Sequence, residues 1–328
     1  MKKLFKTILI LFVAAALAAC SASSSSSAPA ASETEGPAEE VKDITIGICL
    51  SDHTNVSFIA MLDAGKEYAK ENGHITIIEQ DGKSDPNAMI SAIENFTTSG
   101  VDAIIYQNSF PEETGDAVRE AAEAGIVVIA YESVSEYATV SWISDNETIG
   151  KAIGHMAGEW INANVGGEGK VCIICNDAIP FLKARGDAIV DGLKEIAPNS
   201  EVIARQAARA ITDGYTLAET LLISNPEINC YAGTGDAAMV GVSQAYEAAN
   251  WDKALGTFGA DCSEEAVAAM KTEGTFVTGS FDLGLKGEMV KMIQTCYELC
   301  NGASPEETVV VMQGVAVTRD NVLEYFPE

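Results

Sequence analysis

Along most of this chain, short runs of consecutive apolar residues alternate with longer stretches in which apolar residues recur every three or four positions. The short runs read as strands buried on both faces, and the three-to-four spacing reads as helices with one apolar side. Strands are expected at 44–50, 75–79, 103–106 and 126–130, separated by helices at 56–71, 86–99 and 112–124. Pro86 opens one of these helices and Gly100 closes it, while Gly73 and Gly125 close the others. After a strand at 140–143 and a helix at 147–163 the plan begins again. Strands at 171–175, 201–205, 229–232 and 255–259 enclose helices at 181–196, 212–224 and 237–249. A strand near 277–280, a helix carrying Leu285, Met289, Met292, Cys296 and Leu299, and a strand at 309–312 leave too little chain for a third unit. They must complete the first two, so the chain passes between lobes more than once. The expected fold class is α/β, with two doubly wound parallel-sheet lobes joined by a multi-crossing hinge. The first lobe is expected to take residues 43–144 plus 280–308, and the second 145–279 plus 309–328.

The first residues follow a different pattern. Lys2, Lys3 and Lys6 precede an apolar run over residues 8–19 that is short for a bilayer span and ends in small residues, so residues 1–19 read as a signal peptide. Leu17-Ala18-Ala19-Cys20 resembles the bacterial lipoprotein signal, in which the cysteine is diacylated and becomes the new N-terminus. Two acyl chains anchor a protein stably where one does not. Residues 20–42, rich in Ser, Ala, Pro and Glu, lack apolar periodicity and read as a lipid-anchored flexible linker. The body is therefore expected on the extracytoplasmic face of a cell membrane, held at Cys20, in a bacterium of the Gram-positive type.

Composition narrows the function classes. The 328 residues carry 48 Asp and Glu against 20 Lys and Arg, a formal charge of −28. Removing residues 1–19, which hold three lysines and no acid, takes it to −31. Such a chain repels phosphate backbones, which excludes nucleic acid as a partner. Only His53, His74 and His155 are present, far apart, so neither a His-built metal site nor a histidine proton relay is expected. Besides Cys20 there are seven cysteines, an odd number that cannot all pair and a high one for an exported protein. Cys172 and Cys175 lie three apart in an apolar strand and so point to opposite faces, and Cys296 continues a helical core stripe. These cysteines read as buried small hydrophobes with free thiols, which suits an exporting organism that lives without oxygen.

In open α/β sheets, ligands sit beyond the carboxyl ends of the strands. Those exits are unusually rich in carboxylates and amides: Asp52 and Asn55, Gln107 and Asn108, Glu132, Asn176 and Asp177, Asp236, Asp261 and Asp282. Phe58, Trp142 and Phe181 lie beside them. Amides and carboxylates grip hydroxyls through paired hydrogen bonds, and aromatic faces cover the apolar surface of a sugar ring. Competing motifs carry less. Gly233-Thr-Gly-Asp-Ala-Ala238 has dinucleotide spacing, but Asp236 would oppose a pyrophosphate. The oxygens of Asp81-Gly-Lys-Ser-Asp85 lack the terminal Glu of a calcium loop. No cofactor is expected, and no metal.

Several segments then resemble one family in order. They are the opening Ile46-Gly-Ile-Cys-Leu-Ser-Asp52 with Asn55 and Phe58, Gly100-Val-Asp-Ala-Ile-Ile-Tyr-Gln107, Gly125-Ile-Val-Val-Ile-Ala-Tyr-Glu132, Ile143-Ser-Asp-Asn146 with Gly150, Ala184-Arg-Gly186, Gly235-Asp236, Phe258-Gly-Ala-Asp261 and Gly284-Leu-Lys-Gly287. Together they resemble the type I periplasmic-binding-protein family, in particular the ribose/galactose-type sugar-binding lipoprotein components of ABC transporters. The resemblance implies that Asn55, Gln107, Glu132, Lys183, Asp261 and Asp282 hydrogen-bond a sugar and that Phe58 stacks on it. It places Asp145 at the first crossing and Asp236 on the second-lobe side, with Asp52 in the first ligand loop. Ser57, Ser133 and Gly235 depart from the ribose-type pattern. Phe281-Asp282 and Val317-Thr-Arg-Asp-Asn321 are similar to the autoinducer-2 and rhamnose binders of the same family.

The expectation is a monomeric, non-enzymatic solute-binding lipoprotein that captures a sugar or sugar-like polyol between two lobes and delivers it to an ABC permease. A ligand-sensing receptor module, for a sugar or autoinducer-2 and signalling through a membrane partner, is the alternative. An exported glycosidase using a carboxylate pair such as Asp52 and Asp261 ranks third.

Overall fold

The computed structural model describes residues 42–327, so the expected signal peptide, linker and Cys20 lie outside the described residues. The first half runs β1 (Ile44–Leu50), α1 (Val56–Asn72), β2 (Ile75–Asp81), α2 (Pro86–Ser99), β3 (Ala103–Gln107), α3 (Pro111–Glu123), β4 (Val127–Glu132) and β5 (Val140–Ser144). The second runs α4 (Asn146–Val165), β6 (Lys170–Ile174), α5 (Pro180–Ile196), β7 (Glu201–Gln206), α6 (Ile211–Ser224), β8 (Cys230–Gly233), α7 (Asp236–Ala248), β9 (Gly256–Ala260), α8 (Glu264–Lys271) and β10 (Val277–Asp282). The tail adds α9 (Leu285–Cys300), β11 (Val309–Met312), β12 (Val315–Thr318) and α10 (Val322–Tyr325).

Local chemistry sets the ends of these elements. Asn55 caps α1 by accepting from the Ser57 amide, and Asp85 caps α2 by accepting from the Asn87 amide ahead of Pro86. Gly73 closes α1 at φ 78°, a left-handed turn that a side chain would resist.

The strands form two sheets, ordered β11-β5-β4-β3-β1-β2 and β12-β10-β9-β8-β6-β7. All pairings are parallel except β10 with β12. Central strands such as β3 and β9 are buried along their whole length, as strands covered by helices on both faces must be. Edge strand β2 is mostly exposed or half-buried.

The lobe boundaries differ from those expected. β10 stays in the second sheet through Asp282, paired with β9 and β12, so residues 280–282 belong to the second lobe. β11 pairs with β5, which puts 309–312 in the first lobe, and the chain returns to the second only at β12. Helix α9 packs on α1, β1, β3 and β4, and its Met289, Ile293 and Cys296 join one apolar cluster with Ile46, Ile48, Met61 and Leu62.

All seven described cysteines are free, and only Cys300 is other than buried. Cys172 and Cys175 enter different apolar clusters, on opposite faces of their sheet. Burial pushes the Cys49 and Cys172 thiols up to about 12, which leaves them inert.

Candidate functional site

Both sheets present their strand carboxyl ends to one cleft. The cavity there has a volume of about 40 Å³, the lobes being closed on one another, and is lined by Asn55, Phe58, Gln107 and Glu132 from the first lobe and by Phe181, Arg185, Arg209, Thr234 and Asp261 from the second. Each side chain is held by its own element. Asn55 spends its Oδ1 on the cap of α1, 2.9 Å from the Ser57 amide, leaving its amide nitrogen to donate elsewhere. One turn into the same helix, Phe58 is buried. At the end of β3, Gln107 accepts from the Ser51 amide at 2.9 Å and so ties two strand exits together.

Glu132 ends β4 with φ 80°, a conformation rarely held by a residue other than glycine, and it accepts from the Ser144 hydroxyl at 2.8 Å. Facing it across the cleft is Arg185. The two are 5% and 3% exposed and lie 3.6 Å apart. Arg185 also donates to Asn146 Oδ1 at 2.8 Å and to the Thr234 carbonyl at 2.9 Å, while its Nη2 has no hydrogen-bond partner among the described residues. That nitrogen is the one paired with Glu132 Oε2, close enough for ionic attraction but too far for a hydrogen bond, so it keeps hydrogens to donate to an acceptor.

Arg185 reaches the cleft because α5 packs unusually closely on α4. A side chain at Gly150 would strike the Arg185 carbonyl, and one at Gly154 the Ile189 carbonyl. Glycine at both positions lets the helix backbones touch.

Asp261 follows β9 at φ 102°, and burial pushes its carboxyl up to about 7, with Arg185 opposing and Glu132 adding to the rise. A carboxyl poised near neutrality can either donate or accept. Two carboxyl groups, two guanidiniums, two amides and two phenyl rings make a site suited to a small, polyhydroxylated molecule with an apolar face. Among the described residues, no group of acids, cysteines and histidines is arranged to hold a metal.

Of the residues expected in the site, Asn55, Phe58, Gln107, Glu132 and Asp261 line the cleft, and five others do not. Asp52 turns onto its own loop, its Oδ1 accepting from the Thr54 amide at 2.8 Å. Asp145 is exposed and caps α4 by accepting from the Thr148 amide. Lys183 is exposed and pairs with Asp187 at 2.6 Å, because two residues of helix put it on the side of α5 away from Arg185. Asp236 is buried for structural reasons, accepting from the Ser263 amide and the Ser280 hydroxyl, both at 2.9 Å, so it ties α7 to the loop after β9 and to β10. Asp282 accepts from the Gly284 amide at the second crossing and lines the adjoining groove.

Sequence reasoning missed both arginines. Arg185 left a legible signal: it sits on the buried stripe Phe181, Leu182, Arg185, Ile189 and Leu193, where a charge is out of place unless it serves a site. Arg209 lies in the loop between β7 and α6 and carries no periodic signal.

A family model for the periplasmic binding protein domain matches residues 46–303. The chain belongs to the periplasmic binding protein family. This periplasmic binding protein is 26% identical over 231 residues to the ABC transporter periplasmic-binding protein YphF of Escherichia coli, covering 68% of this chain and 70% of that one. It is 24% identical to the ribose import binding protein RbsB of Bacillus subtilis over 82% of this chain and 85% of that one. Among solved structures, a Bacillus halodurans ABC transporter solute binding protein with bound myo-inositol matches at TM-score 0.75 and 24% identity, over 88% of this chain and 99% of that one. A carbohydrate transporter solute binding protein from Agrobacterium radiobacter in complex with D-arabinose matches at 0.76 and 23%, over 86% and 96%. At these identities the structural likenesses establish the fold.

Proposed function

We propose that this periplasmic binding protein captures a sugar or sugar-like polyol in the cleft and presents it to an ABC permease. The observation that carries this reading is the opposition of Asn55, Gln107 and Glu132 on one lobe to Arg185 and Asp261 on the other, with Phe58 and Phe181 as apolar walls. A ligand touching both sets favours the closed form by its differential affinity, and that difference is what drives closure. The named relatives include ribose import proteins, and the structural neighbours hold a pentose and an inositol, which supports the same ligand class. The lipoprotein signal at Cys20 adds a tether that keeps the protein beside its permease on the extracytoplasmic face.

A thermal-shift screen of the purified chain against pentoses, hexoses, 6-deoxy sugars, inositols, autoinducer-2 and nucleosides tests the reading. A ligand at 100 times its dissociation constant adds about 2.7 kcal/mol of stability. A shift with a sugar or inositol is expected. A shift only with nucleosides overturns the ligand class.

A further inference from the structure

All three passages between the lobes lie at one edge of the molecule. The chain crosses after β5, after β10 and between β11 and β12, and these strands occupy the first two places in the two sheets. The last places, at the opposite edge, belong to β2 and β7. That far edge is where hinge rotation separates the lobes most. Ser84 follows β2 there, and Arg209 follows β7.

Across this far mouth, Arg209 Nη1 donates to Ser84 Oγ at 2.6 Å and Nη2 donates to Ser51 Oγ at 3.0 Å. Both acceptors belong to the first lobe and the donor to the second. We propose that Arg209 is a latch that fastens the mouth of the cleft, sets the closed fraction of the ligand-free protein, and limits how fast a ligand leaves. Only the ligand-release part rests on the proposed function, because closure is measurable with no ligand present.

The receiving side is built for a fixed geometry. Lys83 and Ser84 both hold φ 51°, two consecutive residues other than glycine in the left-handed region. Such strain persists only where its surroundings enforce it. Here the Ser84 amide donates to the Ser51 carbonyl at 2.5 Å and the Gly82 amide to the Leu50 carbonyl at 2.9 Å. Asp81 Oδ1 accepts from the amides of Lys83 and His53, joining the loops after β1 and β2. The two hydroxyls are thus presented on one rigid surface.

The chemistry suits a reversible fastening. Hydrogen bonds from a charged donor to neutral hydroxyls are stronger than neutral pairs, yet breaking them strands no buried carboxylate. Burial pulls the Arg209 guanidinium below its ordinary range, and the nearby charges of Asp52, Glu132 and Asp261 oppose that pull, so it stays cationic. By contrast, the Lys286–Glu264 pair, which also joins the lobes, is exposed and sits beside the second crossing, where it has little leverage. Arg209 lines the cavity as well, so a captured molecule lies behind it.

The test uses the full chain, ligand-free, with a donor and acceptor dye introduced by unnatural amino acids at exposed Asn95 on α2 and Glu219 on α6. Single-molecule energy transfer then gives the ratio of closed to open molecules. Hydrogen bonds to charged groups are worth a factor of about ten or more in an equilibrium. Arg209→Met should lower the closed-to-open ratio about tenfold, and Ser84→Ala should lower it in the same direction. The double variant should fall no further than Arg209→Met alone. Ser84 does not line the cavity, so faster ligand release in Ser84→Ala, read by stopped flow with a sugar from the screen, reports the latch and not a lost ligand contact. Unchanged energy transfer in both single variants overturns the proposal. So does a variant Arg209→Met that binds weakly while Ser84→Ala releases ligand at the wild-type rate, since Arg209 is then a ligand contact only.

Discussion

Replacing Asp261 with Asn should stabilise the ligand-free protein at pH 8 and leave it nearly unchanged at pH 4. Burial raises this carboxyl from its ordinary 3.8 to about 7. Between those values the native chain retains a proton that the unfolded chain has released, so raising the pH draws the equilibrium toward unfolding. The penalty is absent below about pH 4, grows through the interval, and is complete above about pH 7. At about 1.4 kcal/mol per pKa unit, it amounts to about 4 kcal/mol at alkaline pH. Asparagine has the same shape, cannot ionise, and is among the residues that best tolerate a φ of 102°. Urea denaturation of both proteins at intervals from pH 4.5 to 8.5 gives the difference directly. Burial also raises Asp236 and Asp282; the Asp261 charge adds to the rise at Asp236, so removing that charge adds to the variant's advantage at high pH. The variant's advantage should grow with pH and level off near pH 8. A difference that stays constant with pH would refute the account of Asp261.

Two further outcomes follow from the buried groups. Arg185→Met leaves Glu132 buried without its counter-charge, a loss of about 3–5 kcal/mol. Adding Glu132→Leu should restore most of that stability in urea denaturation, while both variants lose ligand-induced thermal shifts; a single variant with a wild-type midpoint contradicts the buried pair. A thiol reagent should react slowly with the native protein and then with all seven body cysteines after denaturation, since the structure leaves every one of them free. Three oxidised pairs would instead imply an oxidised fold.

The alternation of buried strands and helices was legible because parallel sheets covered on both faces leave long apolar runs. Short elements escaped. Helix α8 has eight residues, and β12 is a four-residue edge strand with two exposed positions, so neither carries a repeat long enough to stand out. Missing β12 is what misplaced the third crossing. The site was half legible for a related reason. Strand exits announce themselves by position, which is how Gln107, Glu132 and Asp261 were found. Whether an exit residue faces the cleft depends on the next bond it makes: Asp52 and Asp145 bind their own backbone, and Asp236 is absorbed by neighbouring loops. Arg209 acts from a loop between strand and helix, where no spacing rule reveals direction.

The packing of α9 against β1, β3 and β4 makes the first lobe wait for the end of the chain. The first lobe begins the body, yet the face of its sheet that carries α1 is only partly covered until residues 285–300 arrive, nearly at the end of the chain. A chain emerging N-terminus first therefore cannot seal that lobe early. The second sheet waits as well, because β12 arrives later still, so the two lobes close together, each only when almost the whole chain is present.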